Sequence, residues 1–181
     1  MDWTAFETDM KEATFAAFTR LAPLIEDEAL YAFCLQTTDD GWGIGPFANT
    51  REGLVVQTEK LAALMTISPH TERTLAWSPD EWRYVGFAGD AFMKVNQQVM
   101  QVADGIPDAD MPSHVEHITD AIIAALQQLR ARHSDVLDRV TLFVTMSDSD
   151  DAEALENASS ESLNPPDLHR AFLQRWADPA N

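Results

Sequence analysis

The chain has 181 residues, 30 acidic and 12 basic side chains, and a formal charge of −18 at pH 7. A field that negative repels nucleic acid and anionic membranes and favours basic protein partners. No apolar run reaches the roughly 20 residues that cross a bilayer. The apolar share of 45% is ordinary for a globular protein, so the excess acid has not displaced a core and belongs mostly on the surface. The lone cysteine, Cys34, excludes an internal disulfide and fits a reducing compartment. Met1-Asp2-Trp3-Thr4 lacks the basic and apolar regions of a secretory signal, which points to a cytoplasmic protein. The length suits a single domain over residues 1–181.

In chain order, Phe6, Met10, Ala13, Ala17 and Leu21 recur at helical spacing between Thr4 and Leu21, and Pro23 is expected to end that helix. Tyr31 to Thr37 has the period of a strand, with Tyr31, Phe33 and Leu35 on one side and Ala32, Cys34 and Gln36 on the other. Asp39-Asp40-Gly41 is turn chemistry, and Gly43 to Ala48 returns as the second arm of a hairpin. Pro46 has no N–H for a ladder, so this arm is expected at an edge or very short. Asn49 followed by Glu52 reads as a helix start, with Leu54 to Met65 rich in helix formers. Ser78-Pro79-Asp80-Glu81 reads as a second and stronger start, and a further helix covers about Asp90 to Val102.

Gly105-Ile106-Pro107 and Met111-Pro112 mark a loop. A long helix then begins at Ser113, boxed by Glu116, with Val115, Ile118, Ile122, Ala125, Leu126 and Leu129 as its apolar stripe. Val140 to Met146 is a buried strand, being β-branched and almost uncharged. A short acidic helix from Asp151 to Glu156 follows, and Asn164-Pro165-Pro166-Asp167 opens a last helix with Leu168, Phe172 and Trp176 on one face. This order predicts an α+β fold: a small, mostly antiparallel sheet, made of the hairpin and a later strand, packed against several helices.

Catalytic signatures are scarce. Gly41-Trp42-Gly43-Ile44-Gly45 contains G-x-G inside a hairpin and opens no helix, so it is turn chemistry rather than a nucleotide fingerprint. His114 and His117 stand three apart near Asp110, Glu116 and Asp120, but His117 falls opposite the apolar stripe and no metal motif is present; no metal or cofactor is expected. His133 suits the negative end of its helix. Cys34 reads as a small buried hydrophobe. Asp148-Ser149-Asp150-Asp151 starts like a calcium loop, yet Glu153 and Ser159 stand where glycine and glutamate belong, and helix capping at Ser149 or Asp150 explains it better.

Two stretches of acid stand unopposed: Asp104, Asp108, Asp110, Glu116 and Asp120, then Asp148, Asp150, Asp151, Glu153, Glu156 and Glu161. They serve either as a solvating coat or as a docking face. Trp77, Trp82 and Tyr84 read as core or lid residues. Trp42, at a hairpin tip beside Asp39 and Asp40, is either a contact residue or folded over the sheet.

Tyr31 to Gly41, then Ala48-Asn49-Thr50-Arg51-Glu52-Gly53, and Trp77-Ser78-Pro79-Asp80-Glu81-Trp82-Arg83-Tyr84 together resemble a bacterial family catalogued as domain of unknown function 4303. The resemblance implies no catalytic residues. Small acidic proteins of this character are similar to immunity proteins of contact-dependent and type VI toxin systems. The favoured expectation is therefore a non-enzymatic protein that binds a basic partner through Trp42, Asp39, Asp40, Asp148, Asp150 and Asp151. The alternative is an enzyme with a pocket near Asn49, Glu52, Trp77, Glu81 and Trp82.

Overall fold

Helix α1 (Trp3–Ile25) starts where the Asp2 carboxylate accepts the Ala5 N–H, and it buries the stripe from Phe6 to Leu21. The computed structural model describes residues 1–177. Pro23 does not end α1 but sits inside its last turn. The carbonyl it leaves unmatched belongs to Thr19, an exposed residue where water can replace the missing donor. The helix stops two residues past the proline, at Glu26 with φ +44°.

Four strands form one sheet in the order β3-β2-β1-β4: β1 (Leu30–Thr38), β2 (Gly45–Thr50), β3 (Tyr84–Val85) and β4 (Thr141–Ser147). β1 pairs antiparallel with β2 and parallel with β4, so the sheet is mixed rather than mostly antiparallel. The long helical connection between β2 and β4 is the kind of crossover that parallel pairing requires. β2 is not an edge strand, because β3 flanks it. That neighbour pairs only at Phe47 and Ala48, however, and Pro46 contributes its carbonyl to Gly86 without needing a donor. A bulge between Leu30 and Ala32 shifts the register of β1. One extra residue exchanges the two faces, so Tyr31 packs with Ala32 and Cys34 and not with Phe33 and Leu35 as the alternation predicts.

Helix α2 (Arg51–Ala62) is capped by Thr50, whose Oγ1 accepts the Gly53 N–H, and not by Asn49. An unforeseen helix, α3 (Pro69–Trp77), follows, with Ser68 as its cap, Pro69 at its first position and Glu72 in its first turn. Those three residues form a legible start signal. Ser78 closes α3 instead of opening a helix, and Pro79–Glu81 makes only one 3-10 turn. After the turn Gly89–Phe92 comes α4 (Met93–Ala103). α5 (Met111–Arg132) starts two residues before Ser113, because the 3-10 turn Asp108–Asp110 runs straight into it. α6 (Ser134–Leu137) is short, α7 (Ala152–Leu163) is twice the expected length, and α8 (Pro166–Leu173) carries the buried Phe172.

The main core lies on the sheet face bearing Phe33, Leu35, Leu142 and Val144, under α1, α4 and α5. A smaller aromatic core covers the other face, with Tyr31, Phe47, Trp82, Phe143 and Phe172 around Cys34. α7 closes the β4 edge. Ser159 Oγ accepts the Val144 N–H, and the Asn164 amide receives Leu142 N–H and donates to Leu142 O, as a neighbouring strand would. An edge satisfied in this way offers no template for further strand pairing.

Candidate functional site

Parallel strands end together. The β1–β4 register runs to Thr38 opposite Ser147, so the two chain segments that follow leave the sheet side by side, at a strand spacing of about 4.8 Å. One segment is Asp39-Asp40-Gly41-Trp42 and the other is Asp148-Ser149-Asp150-Asp151. Residues over a hundred positions apart thus share one end of the sheet. Asp39, Asp148, Asp150 and Asp151 are exposed there, while Asp40 is half-buried.

The hairpin tip is stiff. Thr38 N–H donates to Trp42 O at 2.9 Å, Gly41 N–H donates to Thr38 O at 2.9 Å, and Trp42 N–H donates to Thr38 Oγ1 at 2.8 Å. Asp40 Oδ1 accepts from the Thr38 hydroxyl. Gly41 adopts φ +82° and sits against α5, where a Cβ would lie 2.6 Å from Ile118 Cδ1. Only glycine meets both demands without strain. Trp42, held on this platform, remains 37% exposed. The hydrogen bonds fix the Trp42 backbone, so the chain that carries this exposed indole has little freedom left to lose on binding. On the β4 side, Ser149 Oγ accepts the Asp151 N–H in a turn that precedes α7. The helix cap expected at Ser149 or Asp150 does not form, since Asp151 is the N-cap of α7 and no side chain caps it.

Glu156 does not join the acid surface. It is buried, accepts the Thr145 hydroxyl at 2.6 Å, and pairs with Arg175 Nη2 at 2.7 Å. Arg175 is fully buried over the Phe172 ring, 3.9 Å from its centroid. Nothing in the local sequence marks Glu156 as different from its exposed neighbours, since its partner arrives from beyond α8.

The residues of the alternative pocket are brought near one another only in part. Asn49 is fully buried; its Nδ2 donates to Tyr31 Oη and its Oδ1 accepts the Thr50 N–H. Tyr31 Oη and Trp82 Nε1 both donate to the Ala76 carbonyl, which ties α3 to the sheet. Trp77 packs edge-on against Tyr31 and Phe172. Glu52 lies apart, accepting the Ala29 N–H at 2.7 Å, and Glu81 borders a groove between α2 and α3. The polar atoms of Asn49, Glu52 and Trp82 hold secondary structure together. Cys34 lies fully buried in the aromatic core, where burial first, then Glu156 and Asp80, push its thiol well above the ordinary range and disfavour the thiolate.

His117 stacks on Trp3 with ring centroids 4.8 Å apart, and His114 lies tilted against the same indole at 5.3 Å. His117 is exposed, as its position opposite the stripe predicts, and its Nδ1 lies 2.6 Å from the Ser113 carbonyl. His114 is only 8% exposed, and its Nε2 has no partner. Among the described residues no group of three or more histidine, cysteine or carboxylate side chains is arranged to hold a metal ion. Burial, then the terminal ammonium and His117, lower the His114 pKa below 6.5. The unfolded chain therefore binds the extra proton first, and stability present above pH 6.5 falls as pH drops below it. Equilibrium unfolding between pH 7.5 and 5 is expected to show this slope, and His114→Phe to flatten it; equal slopes in both chains would remove His114 from the account.

The fold and this strand end describe an α+β protein with acidic residues and an exposed indole at one end of its sheet, and no helix among the described residues is long and apolar enough to cross a membrane. Residues 10–165 match the family described as Domain of unknown function (DUF4303), and the chain belongs to it. The match takes in the hairpin, Asn49 to Gly53, the Trp77–Tyr84 segment and β4. No curated protein and no solved structure matches the chain.

Proposed function

We propose that this chain is a non-enzymatic binding protein of the toxin-immunity type, acting in the cytoplasm by docking a basic protein on its acidic strand end. The observation that carries the reading is the Thr38–Ser147 register, which brings Asp39 and Asp40 to the same sheet end as Asp148, Asp150 and Asp151, with the exposed Trp42 two residues on from Asp40 in the hairpin tip. Carboxylates gathered on one edge raise the local concentration of a cationic partner and orient its approach. The indole supplies what the charges do not, a desolvated anchor that slows departure.

The partner to test is the product of the adjacent reading frame, co-expressed with this chain. A stable complex is expected to co-purify, and Trp42→Ala is expected to weaken it at least tenfold, mainly through a faster off-rate, as an anchor worth about 2 kcal/mol would. Absence of a complex, or an affinity indifferent to Trp42→Ala, defeats the reading.

A further inference from the structure

The helical arm formed by α2 and α3 departs from the acidic character of the rest. α2 buries one residue, Gly53, and leaves Val55, Val56, Leu64 and Met65 exposed at its flank and end, with Leu64 at 85%. Shallow grooves run along both sides of the arm. One has a volume near 340 Å³ and is bordered by Leu54, Val55, Thr58, Glu59 and Glu72. The other, near 270 Å³, is bordered by Leu61, Leu64 and Leu75, with Lys60 and Glu81 among its polar residues. A helix that stable folding barely uses, with apolar side chains turned outward, marks a surface for association.

We propose that this arm is a self-association surface occupied by a second copy of the same chain, related by a two-fold axis. Charge argues for that occupant. α2 and α3 carry Arg51, Lys60 and Arg73 against Glu52, Glu59 and Glu72, a balance in a protein of charge −18. A strongly basic partner finds less attraction here than at the strand end, and two molecules of like charge repel least where their faces are neutral. A two-fold contact sets the same patch against itself. The second groove suits that arrangement, since it holds a leucine knob, an apolar floor, one cation and one anion, so that Lys60 of each copy can face Glu81 of the other. α2 also leaves the sheet at the Leu30–Thr50 end, opposite the strand end that carries the aspartates. The two surfaces need not compete.

Sedimentation of the purified chain over a concentration series is expected to show a reversible monomer–dimer equilibrium. Dimerisation is expected to tighten as salt rises, because screening removes the repulsion between two anionic bodies. Leu64→Asp is expected to give a monomer with an unchanged circular dichroism spectrum, since the side chain is exposed and supports nothing in the fold. Val55→Asp tests the neighbouring groove in the same way. A chain that is monomeric at every concentration and salt overturns the proposal. So does a dimer that both aspartate variants leave intact.

Discussion

Replacing Arg175 with alanine is expected to destabilise the protein by about 3–5 kcal/mol, the usual result of breaking a buried ion pair from one side. Arg175 is fully buried, donates to Glu156 and Asn157 at 2.7 and 2.6 Å, and stacks on Phe172. Its removal leaves the Glu156 carboxylate nearly dry, with only the Thr145 hydroxyl as donor. For a chain of this length, the loss corresponds to a fall in Tm on the order of 10 °C. The double variant Arg175→Met with Glu156→Leu is expected to recover most of it, because two apolar side chains need no solvation. Urea unfolding of the three proteins measures both effects. A single variant within about 1 kcal/mol of the parent would mean that the carboxylate finds water there.

Changing Asp39, Asp148, Asp150 and Asp151 together to asparagine is expected to slow association with the basic partner by tenfold or more at low salt. All four side chains are exposed, and none takes part in an ion pair among the described residues. Their loss therefore leaves the fold intact, and unfolding should shift by no more than about 0.5 kcal/mol. Asp40 is kept, because it accepts hydrogen bonds from Thr38 and Trp42 that shape the hairpin tip. The effect belongs to the on-rate, while the off-rate stays with Trp42. A matched set of substitutions at Asp104, Asp108, Glu116 and Asp120 removes the same charge elsewhere, and should slow association less.

Much of the fold could be read from local pattern. The stripes from Phe6 to Leu21 and from Ile118 to Leu129 define α1 and α5, and the uncharged β-branched run defines β4, because burial of one face sets the spacing directly. What could not be read depends on contacts distant in sequence. The β1 bulge turns Tyr31 to the opposite face, and no local feature of Tyr31-Ala32-Phe33 records it. The direction of β4 comes from the helices that deliver it. Glu156 looks like any other residue of an acidic stretch until Arg175, 19 positions later, folds over it.

The candidate site was half legible. The aspartates and Trp42 stand out as turn chemistry beside unopposed acid, but only the parallel register brings Asp39 and Asp148 to one end of the sheet. Asn49 and Glu52 looked like a cap and its box. In the folded chain Thr50 takes the cap, which frees Asn49 to hold Tyr31 and Glu52 to hold Ala29. The Ser68-Pro69-Glu72 signal that opens α3 has the same residue types as Ser78-Pro79-Glu81, which makes only a 3-10 turn, so local pattern does not tell the two apart.

The salt dependence of the association rate tests the docking account most directly. Stopped-flow mixing with the adjacent-frame product would compare about 0.01 M with about 1 M salt, over which the Debye length contracts from roughly 30 to 3 Å. The parent chain is predicted to lose at least tenfold in on-rate across that range, and the variant carrying asparagine at Asp39, Asp148, Asp150 and Asp151 to lose markedly less. A parent on-rate that stays level, or equal slopes in parent and variant, would contradict the account.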